Sequence, residues 1–261
     1  MLSGFFIIMD PIINIKNLSK SFFDESSKED SLILNSIDFH MNDGEFVSLI
    51  GPSGCGKSTL LNIISGLDNP NNGEIIINDI ESKNRLGKLS FMQQKDLLLP
   101  WKTVLDNAIL GLEIQNGNKN TSQKRALELL DTFGLKGYEN YYPNQISGGM
   151  RQRASFLRTI LTNKKILLLD EPFSALDSIT RSQMQKWLLK LWEQFNKTIL
   201  LVTHDIDEAI FLSDRIYVMQ NNTTNSIQII NVELPRPRTR EIVLESSFIK
   251  IKKAILPLIE T

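Results

Sequence analysis

The apolar positions of this chain change period along its length, and the changes mark out its elements. Phe46-Val47-Ser48-Leu49-Ile50 is a near-continuous apolar run, the pattern of a strand buried on both faces in a parallel sheet. Comparable short runs return at Ile166–Leu169, Ile199–Val202 and Ile216–Met219. Ile12–Ile15, Ile33–Phe39, Glu74–Ile77 and Leu89–Met92 read as further strands, punctuated by the charged turn Asp24–Asp30 and the turn cluster Asp68–Gly73. Leu60–Ile64 reads as a buried helix closed by Gly66. From about Leu97 to Leu161 the texture is helical. Thr121 is expected to cap a helix with Ala126, Leu129, Leu130 and Phe133 on one face, and Gly134 to stop it. Met184, Trp187, Leu188, Leu191, Trp192 and Phe195 recur at helical spacing, which predicts an amphipathic helix whose aromatic stripe is core. Strands alternating with helices imply a mostly parallel, right-handed α/β sheet, with a helical insertion between Gln94 and Ile166.

Bulk composition narrows the partners. At 261 residues the chain has room for one substantial core and a subdomain. Lys plus Arg is 29 and Asp plus Glu is 30, a formal charge of −1, so a protein held mainly by nucleic-acid phosphates is disfavoured. Cys55 is the only cysteine, which excludes an internal disulfide and fits a reducing cytosol. Two histidines, His40 and His204, do not make a multi-histidine zinc site. No apolar run is long enough to span a bilayer, so any membrane crossing falls to another chain. Leu2–Met9 is too short and lacks a basic lead-in; it reads as a frayed or untranslated extension, with Met9 a second possible start.

Three stretches carry chemistry. Gly51-Pro52-Ser53-Gly54-Cys55-Gly56-Lys57-Ser58-Thr59 fits the phosphate-binding loop and lies between a predicted strand and a predicted helix. Its backbone N–H groups would wrap a triphosphate at the helix's positive end, Lys57 would supply a cation and Ser58 a hydroxyl for Mg²⁺. Ile166–Leu169 ends in Asp170 and Glu171, which in a parallel sheet fall on the same edge as the loop. Asp170 suits the metal shell and Glu171 the polarising of an attacking water. Ile146-Ser147-Gly148-Gly149-Met150-Arg151-Gln152-Arg153 starts a helix that Ser147 caps, with Met150, Ala154, Leu157 and Leu161 on one face. Its glycines leave bare N–H groups, a second phosphate-binding helix end.

In this order the stretches resemble the ATP-binding subunits of ABC transporters, over nearly the whole chain. Gly51–Thr59 resembles the Walker A loop, Leu167–Glu171 Walker B, and Ser147, Gly148, Gly149 and Gln152 the signature motif. Gln94 falls at the Q-loop glutamine, chosen over Gln93 by counting back from Leu99-Pro100-Trp101. Ser174–Asp177 resembles the D-loop, with Asp177 a nucleotide-site residue, and His204 the switch histidine. Phe22 stands where the family stacks a ring on adenine, with Phe23 a near alternative.

The resemblance implies a P-loop NTPase-type core of the ABC ATPase kind, with an antiparallel β subdomain and a helical insertion. Its expected extent is 10–240, the core being about 10–94 and 162–232 and the helical part about 95–161, with 241–261 a tail. It also implies a head-to-tail dimer sandwiching two ATPs. Lys57, Ser58, Gln94, Asp170, Glu171 and His204 would come from one copy, Ser147 and Gly149 from the other. Gln94 would join Ser58 and Asp170 around Mg²⁺.

Leu98-Leu99-Pro100-Trp101 and Glu233-Leu234-Pro235-Arg236-Pro237-Arg238 resemble the nitrate/sulfonate/taurine importer group, whose members work with a separate permease and a solute-binding protein. Such a subunit sits in the cytoplasm on the inner face of the membrane. A soluble ABC ATPase or an exporter subunit is the alternative. Trp101 reads either as a permease contact or as core. Arg236, Arg238 and Arg240 read as a solvated strip. Phe248, Ile251, Ile255 and Leu258 would form a terminal helix docked on the domain.

Overall fold

The computed structural model describes residues 11–25, 28–78, 80–81, 84–115, 117–220 and 227–259. Leu2–Met9 lies outside them. In chain order the elements are β1 (Ile13–Asp24), β2 (Glu29–Met41), β3 (Phe46–Ile50), α1 (Lys57–Ser65), β4 (Asn72–Ile77), β5 (Ile80–Glu81) and β6 (Ser90–Met92). Helices α2 (Val104–Ile114), α3 (Lys119–Leu130) and α4 (Gly148–Leu161) follow. Then come β7 (Ile166–Asp170), α5 (Ser178–Phe195), β8 (Thr198–Val202), α6 (Ile206–Leu212), β9 (Arg215–Met219), β10 (Ile227–Asn231) and α7 (Ser246–Ile259).

The larger sheet runs β10-β9-β3-β8-β7-β6, parallel throughout except for β10. Strands β3, β7, β8 and β9 are buried along their full length, as their continuous apolar runs require. Successive residues feed opposite faces. Phe46, Ile50, Leu167, Leu169, Ile199 and Leu201 join the core beneath α4 and α5. Val47, Leu49, Leu168, Leu200 and Val202 join the core shared with α1 and the smaller sheet. That smaller sheet is antiparallel, in the order β2-β1-β4-β5.

The four neighbouring parallel strands β3, β8, β7 and β6 all end at one edge. Their registers pair Leu49 with Val202, Asp170 with Val202, and Met92 with Leu169. The segments leaving that edge are the Gly51 loop, Thr203-His204, Glu171 and Gln93-Gln94, and this delivery is the fold's main contribution to the site.

Several local expectations change. β1 runs on to Asp24, because register shifts between Ile15 and Ser21 and a left-handed Asn17 (φ 52°) break the two-residue period by which a strand is recognised. α3 is capped by Asn118, whose side chain accepts from the N–H groups of Asn120 and Thr121; Thr121 lies inside the first turn. Met184, Leu188 and Leu191 are buried, whereas Phe195 at the end of the same stripe is exposed. Arg236 and Arg238 form no solvated strip. The Arg236 guanidinium pairs with Asp214 at 2.7 Å and lies over the Trp192 ring, and Arg238 is buried. Trp101 is 71% exposed, which rules out its core reading. The terminal helix α7 docks through Phe248 and Ile255, both buried.

Candidate functional site

The loop after β3 is shaped by contacts that admit no side chain at its first glycine. Gly51 has φ +154°, and a Cβ there would lie 2.3 Å from the Met219 carbonyl oxygen on the adjoining strand. Gly56, with φ +100°, caps the N-terminus of α1, and a Cβ there would meet Leu34 at 2.7 Å. The backbone can therefore turn its N–H groups toward the mouth of the loop at the positive end of α1. The Lys57 ammonium donates to the carbonyls of Gly51 (2.8 Å) and Pro52 (2.7 Å), which draws its charge inside the loop. Cys55 is buried, with its sulfur 3.6 Å from Lys57 Nζ.

Asp170 ends β7 beside this loop and is almost wholly buried. Burial pushes its carboxyl up; the Ser58 hydroxyl donates to it and opposes the rise, Glu171 adds to it and Lys57 opposes it. A carboxylate and a hydroxyl held together are hard oxygen donors of the kind Mg²⁺ takes alongside substrate phosphates. Among the described residues no cluster of three or more His, Cys, Asp or Glu side chains forms a metal cage.

Glu171 is held from three sides. Its own backbone is left-handed (φ 47°), an uncommon state for a glutamate, and its N–H donates to the Val202 carbonyl at 2.9 Å. The Gln94 amide donates to Oε2 at 3.0 Å, and His204 Nδ1 lies 3.2 Å from Oε1. Gln94, rather than Gln93, thus reaches Glu171. The imidazole of His204 is largely exposed while the Glu171 carboxylate is mostly covered, so the carboxylate is aimed and the histidine guards the open side.

The other expected site residues lie apart from this cluster. Ser147 accepts from the Met150 N–H at 3.2 Å as the cap of α4, and Gly148 beside it is exposed. Gly149 neighbours the Ala175 carbonyl of the Ser174–Asp177 loop. Asp177 caps α5, accepting from Ile179 (3.1 Å) and Thr180 (3.0 Å), and bonds from the Thr180 backbone and side chain hold its carboxyl below the usual range. Gln152 departs from expectation: it is buried in α4 with its amide nitrogen unpartnered among the described residues, so it does not share the exposed helix start. Phe22 is exposed on β1, with Lys20 Nζ 4.8 Å from its ring centroid. Lys20 pairs with Leu34, the residue against Gly56, so Phe22 sits two positions farther along the hairpin that abuts the loop.

Sequence reasoning missed Thr203, Gln185, Arg181 and Glu208, which pack behind His204. The available signal was Asp205 followed three residues later by Glu208, a capping pattern at the helix start.

Residues 34–174 match the protein family described as ABC transporter. The chain is 42% identical over 244 residues to the aliphatic sulfonates import ATP-binding protein SsuB of Bacillus cereus, covering 94% of each chain. To the formylaminopyrimidine import ATP-binding protein ThiZ of Halalkalibacterium halodurans it is 41% identical over 231 residues, 88% of this chain and 90% of that one. Among solved structures it is similar to the dimeric post-hydrolysis state of the ATP-binding cassette MJ0796 bound to ADP and phosphate. The TM-score is 0.78 and the identity 35%, over 85% of this chain and all of that one.

Proposed function

The chain belongs to the ABC transporter family as an ATP-binding cassette that hydrolyses ATP, and from that premise we propose the roles its residues take. Lys57 and the N–H groups of Gly51–Thr59 hold the β- and γ-phosphates, and Phe22 stacks on the adenine. Ser58, Asp170 and Gln94 would hold a Mg²⁺, whose charge, when bound, offsets that of the phosphate oxygens. Glu171 draws a proton from water as the water's oxygen attacks the γ-phosphorus. The bond to the β-phosphate oxygen breaks, and ADP and inorganic phosphate leave. Gln94 and His204 keep the carboxylate aimed.

The observation carrying this reading is Glu171 itself, fixed in a left-handed backbone and bracketed by Gln94 and His204 beside the Asp170–Ser58 pair. Ser147, Gly148, Gly149 and Asp177 lie outside that cluster and complete the site of a second copy. Gln152 supports α4 from within.

The work done is solute import through a separate permease, as the names of both relatives suggest. Among the described residues no helix is long and apolar enough to cross a membrane. The permease would dock where Leu97, Trp101 and Ile114 are exposed, beside a groove of about 370 Å³ lined by Leu89, Leu110, Gly111 and Arg158. The subunit would then sit on the inner face of the membrane, with a solute-binding protein engaged through the permease.

Glu171→Gln tests the chemistry. It should keep ATP affinity yet lose turnover by about 100-fold or more, the usual range for losing a positioned base. Hydrolysis near the wild-type rate would reject Glu171 as the base.

A further inference from the structure

Behind His204 lies a polar cluster that the hydrolytic roles above leave unused. Glu208, in the first turn of α6, is only 6% exposed. As the third residue after the cap Asp205 it would ordinarily turn back to accept from the cap's own N–H. Here the Asp205 N–H donates to Thr203 Oγ1 at 3.1 Å instead. The Glu208 carboxylate accepts from Gln185 Nε2 of α5 at 2.8 Å and from the Thr203 hydroxyl. The Thr203 hydroxyl thus closes the turn around His204, accepting from the residue after the histidine and donating to a carboxylate anchored on a neighbouring helix.

The cluster also faces the reacting side. A chamber of about 20 Å³, enough for one water, is bounded by Glu171, Ser174, Arg181, Thr203, His204 and Glu208. Arg181 donates to the Leu176 carbonyl at 3.1 Å and lies 3.9 Å from Asp205. Burial pushes the Glu208 carboxyl up; the Thr203 and Gln185 bonds oppose this, Asp205 adds to it and Arg181 opposes it. A buried carboxyl is costly unless its bonds offset the loss of water, and one of those bonds here comes from the His204 turn itself, the other from α5.

We propose that Glu208 is a positioning residue for hydrolysis: through Thr203 it fixes the turn carrying His204, and through His204 the carboxylate of Glu171. The inference rests on Glu171 being the base, so Glu171→Gln is measured in parallel on the full chain.

Glu208→Ala should lower kcat by about 10- to 100-fold, the scale of a misplaced catalytic group, with KM for ATP and the melting temperature little changed. Glu208→Gln, which keeps an acceptor for Gln185 and a polar partner for Thr203, should recover most of the rate. Thr203→Val should reproduce the loss, and the double variant should be no slower than either single one, because the two act as a unit. Wild-type kcat in Glu208→Ala, losses that multiply in the double variant, or an effect confined to KM would each overturn the proposal. If Glu208→Ala does not fold, Thr203→Val decides alone: a reduced kcat at unchanged KM supports the link, and a wild-type kcat removes it. Retained turnover in Glu171→Gln removes the base and this inference together. An inactive Glu171→Gln beside an unaffected Glu208→Ala removes only the positioning role.

Discussion

At the scale of single residues the site depends on backbone states that a side chain would spoil. Gly51 leaves no room for a methyl group, since the atom it would strike, at 2.3 Å, is the Met219 backbone carbonyl and cannot rotate away. Gly51→Ala should therefore shift the loop, at a cost of about 1–3 kcal/mol typical of overpacking. Nucleotide affinity, measured by equilibrium binding, should fall about tenfold or more, since 1.4 kcal/mol is a factor of ten. Affinity equal to the wild type would mean that the loop relaxes freely. The identity of such residues was legible because glycine spacing and a lysine in register encode a loop directly. The left-handed Glu171 was not, because nothing in its residue type announces that conformation; it accompanies the bond its N–H makes to the Val202 carbonyl at the end of β8, far off in sequence. Glu208 was hidden for a related reason, its spacing from Asp205 matching an ordinary helix cap while its partner Gln185 lies on a helix distant in sequence.

At the scale of elements, α6 is the short helix that follows His204, and it is held at both ends. Asp205 accepts from the Glu208 N–H at its start. At its end, Arg238 Nη1 donates to the carbonyls of Ile210 (2.9 Å), Phe211 (3.1 Å) and Ser213 (2.7 Å), and Arg236 reaches the Leu212 carbonyl at 2.8 Å. These are the orphan acceptors of a helix terminus, and a cation suits its negative end. Burial and the adjacent Arg236 push Arg238 down to about 10, well above neutrality, so it remains the cation the carbonyls need. Arg238→Met would fill much of the volume but strand those carbonyls, each unsatisfied buried group costing about 1–3 kcal/mol. A clear drop in melting temperature is expected, whereas Arg240→Met, at an exposed site, should leave it nearly unchanged. Equal melting temperatures for both variants would return Arg238 to the surface role its sequence suggested. The parallel strands were readable because runs buried on both faces have no other use for so many consecutive apolar residues. The arginines were not, because proline-spaced arginines look the same whether they face water or a ring of carbonyls.

At the scale of the whole molecule, a single chain presents two helix starts suited to phosphate but gathers catalytic side chains around only one. The exposed start of α4 is the surface on which the proposed dimer depends, and Gly148 isolates that dependence. A Cβ at Gly148 would come no closer than 3.6 Å to any neighbour, the nearest being an Arg151 side-chain nitrogen, so Gly148→Asp fits the isolated chain. Its carboxylate would sit in the first turn of α4, where negative charge favours a helix by about 0.3–1 kcal/mol, so the melting temperature should hold or rise. The same charge faces any phosphate brought to that helix start. In a Glu171→Gln background, where bound ATP persists, light scattering should show an ATP-dependent dimer that Gly148→Asp abolishes, with nucleotide affinity of the monomer retained. A substitution that spares or strengthens the chain alone while removing assembly cannot act through misfolding. Dimerisation that survives Gly148→Asp would place the second phosphate contact elsewhere and leave the α4 start as an ordinary capped helix.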